Sequence, residues 1–165
     1  MHFIGIISED KEYKNIVKEL EESIKQKSLN IIYLSEQTLD NYQNIKFSSI
    51  IICKEIKNKE SFIEKIKKLL QNSKYLIINS DINLKNLTLE NISLKIITFG
   101  FNTKATLTVT SVQEEEILID MQREIITITG KKIETGERKI NFTKQTQIYD
   151  KMIEFIIKKI YELQK

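Results

Sequence analysis

The sequence predicts an α/β fold: a three-layer, mainly parallel, Rossmann-like sheet of about five strands, extended by an antiparallel β-hairpin and closed by a C-terminal helix. Three observations carry that expectation. Short apolar runs rich in β-branched residues recur through residues 1–100, each bounded by polar turns, as strands buried on both faces are. Amphipathic stretches of helical period separate several of them. After Gly100 the pattern switches to strict alternation, the mark of a half-exposed antiparallel strand.

Taken in order, "HFIGII" (2–7) is the first strand, and Ser8 or Asp10 caps the helix after it. Tyr13, Ile16, Val17, Leu20 and Ile24 recur at helical spacing, which predicts that helix over 10–27. "LNIIYL" (29–34) is the second strand, and a polar stretch, 35–46, leads to the third, "FSSIIIC" (47–53). Phe62, Ile63, Ile66, Leu69 and Leu70 share one face of a helix over 57–73. "YLIIN" (75–79) and "LKIITF" (94–99) are the fourth and fifth strands, with "LKNLTLEN" (84–91) short enough to be a helical turn. No room for a crossover helix exists between Phe99 and the next strand, "TLTVTSV" (106–112), so Gly100 must turn the chain out of the parallel sheet. "EILIDMQREIITIT" (116–129) reads as one long strand after a turn at Gln113–Glu115. Gly130 and Gly136 mark turns before a last short strand, and 145–164 is a helix with Ile148, Met152, Phe155, Ile156 and Ile160 as its stripe. No linker, repeat or proline divides the chain. A single domain, 1–165, is expected, with a parallel part (1–104), a β extension (105–143) and a closing helix (144–165).

Bulk properties narrow the function. The 165 residues carry 41% hydrophobic and 30% charged side chains, the composition of an ordinary folded domain. Twenty-six basic against 23 acidic residues leave a net charge of +3, spread along helices rather than clustered, which argues against nucleic-acid binding. One cysteine, Cys53, excludes an internal disulfide and a cysteine-based zinc site; one histidine, His2, excludes multi-histidine metal sites. No apolar run has the length of a signal peptide core or a membrane span, so a cytoplasmic protein without a membrane partner is expected.

"YLIINSD" (75–81), "IITFGFN" (96–102) and "ATLTVTSV" (105–112), with a closing helix after them, resemble in order and spacing the later part of the central domain of the Mur ligases, the ATP-dependent peptidoglycan amino-acid ligases. The likeness spans about 75–160. It implies that domain's fold, with the sheet continuing through the hairpin. In that family the Asn of the Asn-x-Asp turn lies near adenine, which makes Asn79 and Asp81 the remnant of an adenosine contact. The family's phosphate loop, ending in Gly-Lys-Thr/Ser, is replaced here by "FIGIISEDKEYK" (3–14), whose acids repel phosphates. Its Gly-Arg-His-Asn-type motif is absent from "NFTKQTQIYD" (141–150), and no residues remain for the flanking domains. The resemblance thus implies the fold without the ligase chemistry.

Ligands of open α/β sheets sit at the carboxyl ends of strands, so the candidate ligand residues are Asn79, Asp81, Asn102 and Glu9. Glu9 and Asp10, with Lys104 after the fifth strand, are similar to the acidic pair and lysine of response-regulator receivers. The third strand ends in Cys53 and Lys54 in place of the phosphoacceptor Asp, which excludes phosphotransfer. Cys53 lacks a histidine base and reads as a small core residue. "QEEE" (113–116) reads as exposed charge. The strands 106–112 and 116–129 are candidate sheet edges, able to pair with a partner or a second copy, and Phe155-Ile156-Ile157 widens the apolar stripe of the last helix. The expected function is a non-catalytic, pseudo-enzyme-like protein that binds a protein partner and needs no cofactor. The resemblance links it to bacterial cell-envelope or sporulation processes. The alternative is a regulator that binds a nucleotide or small ligand through the adenosine remnant.

Overall fold

A computed structural model describes residues 1–26, 28–57, 60–90, 92–141 and 147–163. Strands β1 (His2–Ile7), β2 (Leu29–Tyr33), β3 (Ser49–Ile52), β4 (Tyr75–Asn79) and β5 (Lys95–Gly100) form the parallel part, and β6 (Leu107–Val112), β7 (Glu116–Met121) and β10 (Gly136–Asn141) extend it. Between the last two lies a two-stranded ribbon, β8 (Ile125–Ile126) and β9 (Lys132–Ile133). The helices are α1 (Asp10–Gln26), α2 (Glu60–Gln71) and α3 (Ile148–Ile160). One sheet of eight strands runs in the order β10-β7-β6-β5-β4-β3-β1-β2, parallel from β2 to β6, with β7 and β10 antiparallel to their neighbours. The expected α/β class and layers are therefore what the chain adopts.

Continuous apolar runs make strands here because both faces of the sheet are covered. On one face α1 and α3 bury Ile4, Ile6, Ile51, Ile77 and Phe99 against Ile16, Leu20, Met152, Ile153 and Ile156. On the other, α2 and a 3-10 turn, Leu39–Tyr42, bury Ile7, Leu34, Ile50, Ile52 and Leu76 against Leu39, Phe62, Ile66 and Leu70. A buried hydroxyl pair, Ser49 with Tyr161 at 2.6 Å, ties the end of α3 to β3.

The passage from β5 to β6 shows how a parallel pair does without a crossover. The two strands share only two register pairs, Phe99 with Leu107 and Gly100 with Thr108, so β6 is a sideways continuation of β5. The Thr106 N–H donates to the Thr98 hydroxyl (2.8 Å) and the Thr98 N–H to the Thr106 hydroxyl (3.3 Å), replacing the ladder before the strands meet.

Several sequence expectations are corrected. The hairpin is a three-stranded meander of β6, β7 and β10, so β6 and β7 are interior strands and not edges; the edges are β10 and β2. Residues 116–129 are not one strand. The sheet strand ends at Met121, the Gln122 N–H turns back to the Thr106 carbonyl (2.8 Å), and Ile125 is drawn into the core. The ribbon beyond it is pinned by the Tyr75 hydroxyl on the Ile126 carbonyl (2.7 Å) and by the Ile128 N–H on the Ile160 carbonyl (2.8 Å). The 84–91 segment turns at Leu84–Leu87 without forming a helix, its leucines facing the α2 layer; residue 91 lies outside the described residues. Of the expected helices, residues 27, 58–59, 145–146 and 164 lie outside them as well.

Candidate functional site

The parallel strands end on one rim of the sheet. The order β2-β1-β3-β4 puts the topological switch point between β1 and β3, where open sheets usually take ligands. Glu9 comes after β1, Lys54 after β3, and the two form an ion pair at 3.4 Å, with the Glu9 side chain 76% exposed. They border an open hollow of about 350 Å³ lined also by Glu36, Glu55, Lys57 and Phe62. Its three acids against two lysines offer no concentrated positive field for phosphate.

Two strands further along, roughly 10 Å at normal strand spacing, the other three candidates come together. Asn79 ends β4, is buried, and accepts the Asp81 N–H on its own Oδ1 at 2.9 Å, an Asx turn. The Asp81 carboxylate accepts three hydrogen bonds: Phe101 N–H at 2.6 Å, Asn102 N–H at 3.0 Å and the Tyr149 hydroxyl at 2.9 Å. Gly100 makes this possible. Its φ is +152°, and a Cβ there would lie 2.5–2.8 Å from the Asp81 carboxylate. Asn102 is exposed and spends its Oδ1 on the Lys104 N–H (2.9 Å), closing the turn into β6. Asp81 thus joins the exits of β4 and β5 to the first turn of α3, where Phe99 and Phe101 meet the Tyr149 ring edge-on. Burial first, and the bond to Asp81 second, push the Tyr149 hydroxyl up to about 12, so it stays a donor. Sequence reasoning points to these residues as ligand contacts; the geometry shows them bonded to one another.

Beneath the rim, Cys53 is buried, and burial first, then the charges of Glu12 and Asp150, push its thiol well up. A thiol so placed is not activated for attack. Glu12 and Asp150 lie in the first turns of α1 and α3, near enough for the Asp150 charge to act on Glu12. Asp150 is 1% exposed and neither carboxyl oxygen accepts a hydrogen bond within normal distance. Burial lifts it to about 6, against the opposing influence of the Asn15 side chain; Glu12 is lifted to about 7 by burial and then by Asp150. Both acids stand at helix N-termini, where negative charge is favoured. Among the described residues no group of three or more His, Cys, Asp or Glu is placed to hold a metal ion.

A second feature lies at the opposite side of the sheet. Between the edge strand β10 and α3 runs a groove of about 450 Å³, lined by Arg138, Ile140, Phe155, Lys158, Lys159 and Leu163 among others. Lys158 and Lys151 are engaged with Glu154, and Lys151 with Glu19. Lys159 sits 5.3 Å over the Phe155 ring. Neither Lys159 nor Arg138 has a carboxylate partner among the described residues. The one sequence signal for this groove is the widened stripe Phe155-Ile156-Ile157: Ile156 and Ile157 serve the core, and Phe155 faces the groove. Among the described residues no helix is long and apolar enough to cross a membrane. No protein-family model matches the chain, and no curated protein matches it in sequence.

Proposed function

We propose that this chain is a non-catalytic protein with a Mur-ligase-like fold that acts by binding another protein, in the bacterial cell-envelope or sporulation processes to which the sequence resemblance links it. The observation that supports this reading is the state of Asp81. Its carboxylate, the best remnant of an adenosine contact, is taken up by two backbone N–H groups and the Tyr149 hydroxyl. A nucleotide would have to displace those bonds and would find acids, not a glycine-rich loop, where its phosphates go. A free sheet edge with a groove beside it lies along β10 and α3.

Thermal unfolding with and without ATP, ADP, GTP and a UDP-sugar, each with Mg²⁺, tests the proposal. A ligand at about a hundred times its dissociation constant stabilises a protein by roughly 2.7 kcal/mol. At about 3 °C per kcal/mol for this chain length, that is a shift of about 8 °C. The expected shift is below about 1 °C for every nucleotide. A reproducible shift of several degrees with any of them refutes the protein-binding reading in favour of the nucleotide regulator.

A further inference from the structure

The phase of the antiparallel ladder shows what the free side of β10 presents. The Gln122 N–H donates to the Thr106 carbonyl, so main-chain groups of Asp120 and Gln122 point to β6 and those of Ile119 and Met121 point to β10. Their partners Arg138 and Gly136 point back into the ladder. The N–H and C=O of Glu137, Lys139 and Asn141 therefore face outward, at the end of the sheet order. The Arg138 guanidinium agrees with this phase, donating at 2.8 Å to the Glu137 carbonyl. Beside this edge lies the groove, with Ile140, Phe155 and Leu163 as its apolar floor and Arg138 and Lys159 as its cations; its one acid, Glu154, is engaged by Lys151 and Lys158.

We propose that the β10 edge and the groove beside it bind an extended acidic peptide segment of a partner protein, which adds to the sheet as a ninth strand. This rests on the reading of the chain as a protein-binding domain and names its partner class. Main-chain groups of the edge supply the ladder, alternate apolar side chains of the peptide meet Phe155 and Ile140, and its carboxylates meet Arg138 and Lys159. Charge selects the occupant. Arg138 and Lys159 have no carboxylate partner among the described residues, and an acidic strand supplies them. A second copy of this chain is a poorer fit: two-fold pairing centred on Arg138 matches Glu137 with Lys139 but sets the two guanidiniums opposite each other, so Arg138 still gains no acid. The charged side chains Glu137 and Lys139 also guard the edge against indiscriminate pairing.

The test uses the full chain and labelled octapeptides: one alternating valine with glutamate, its lysine counterpart, and the acidic peptide with a central proline. Fluorescence anisotropy reads affinity, and amide hydrogen exchange reads the edge. The acidic peptide is expected to bind at least about tenfold more tightly than the lysine or proline peptide, with affinity falling as salt rises. It is expected to protect the amides of Glu137, Lys139 and Asn141, and to lose about fivefold or more in affinity with Lys159→Glu, a change at a half-buried groove position outside the core. No binding of the acidic peptide at about 1 mM overturns the proposal, as does equal binding of the lysine peptide or protection on β2 instead. Protection of the β10 amides that grows with protein concentration alone overturns it in favour of a second copy. None of these results moves the nucleotide experiment, so the two readings fail separately.

Discussion

Removing the Asp81 carboxylate separates a structural lock from a ligand contact. Three bonds end on it, from Phe101, Asn102 and Tyr149. Bonds to a charged group net about 1.5–3 kcal/mol each when shielded, but Phe101 and Asn102 are exposed and their N–H groups regain water in its absence. About 1 kcal/mol per bond then gives roughly 3 kcal/mol for Asp81→Ala, or about 9 °C in Tm for a chain of this length. Asp81→Asn can keep Phe101 and Tyr149 on its one oxygen but sets its NH₂ against the Asn102 N–H; about half the loss is expected. Gly100→Ala supplies the second arm of a cycle. A Cβ at Gly100 meets the Asp81 carboxylate at 2.5–2.8 Å, so this substitution should cost more in the wild-type chain than in the Asp81→Ala background. The residual cost in the second background is the backbone strain at φ +152°. Thermal and urea unfolding monitored by circular dichroism give all four values. A loss below about 1 °C for Asp81→Ala, with additive Gly100→Ala, would refute the lock and return the carboxylate to the ligand reading.

The Glu12–Asp150 pair makes stability depend on pH in a stated direction. Both acids are raised in the fold, to about 7 and about 6, so the protonated forms are favoured there. Their contribution is full below the ordinary carboxyl range and is lost as pH rises through 6 and 7. Asp150→Asn should therefore raise stability at pH 8 by about 3 kcal/mol, or about 9 °C in Tm, and by only about 1 kcal/mol at about pH 4.5; a greater gain at the acid end contradicts the assignment. Cys53, buried with a raised thiol, should react with a thiol reagent only as fast as the chain opens, so labelling should track global unfolding in urea. Fast labelling in native buffer contradicts the closed rim.

Much of the fold was legible because β1, β3 and β4 are buried on both faces, and burial on both faces leaves a continuous apolar run. The lack of a crossover helix between Phe99 and Leu107 was legible, but the expected exit from the parallel sheet at Gly100 is overturned: Gly100 pairs with Thr108, β6 stays parallel to β5, and the antiparallel part begins one strand later. The break after Gln122 was not, because Ile125 through Thr129 are β-formers in sheet and ribbon alike, and the ribbon is held away from the sheet by Tyr75 and Ile160, distant in the chain. Edges were misplaced for a related reason: whether β6 or β7 is interior depends on where β10 pairs, and GERKIN carries almost no apolar pattern. Asn79, Asp81 and Asn102 were found as a cluster, since strand ends on neighbouring strands must meet. Their role was hidden, because an Asp after a strand serves a ligand or a turn equally well until the close approach of Gly100, far along the chain, decides it.

Amide spectra of the isotope-labelled chain, recorded as Mg²⁺-ATP is added, test the central claim most directly. The Asp81, Phe101 and Asn102 resonances should hold their positions, because their bonds to one another are already made. Saturable movement of those three amides would show the rim to be an open nucleotide site and would contradict the account.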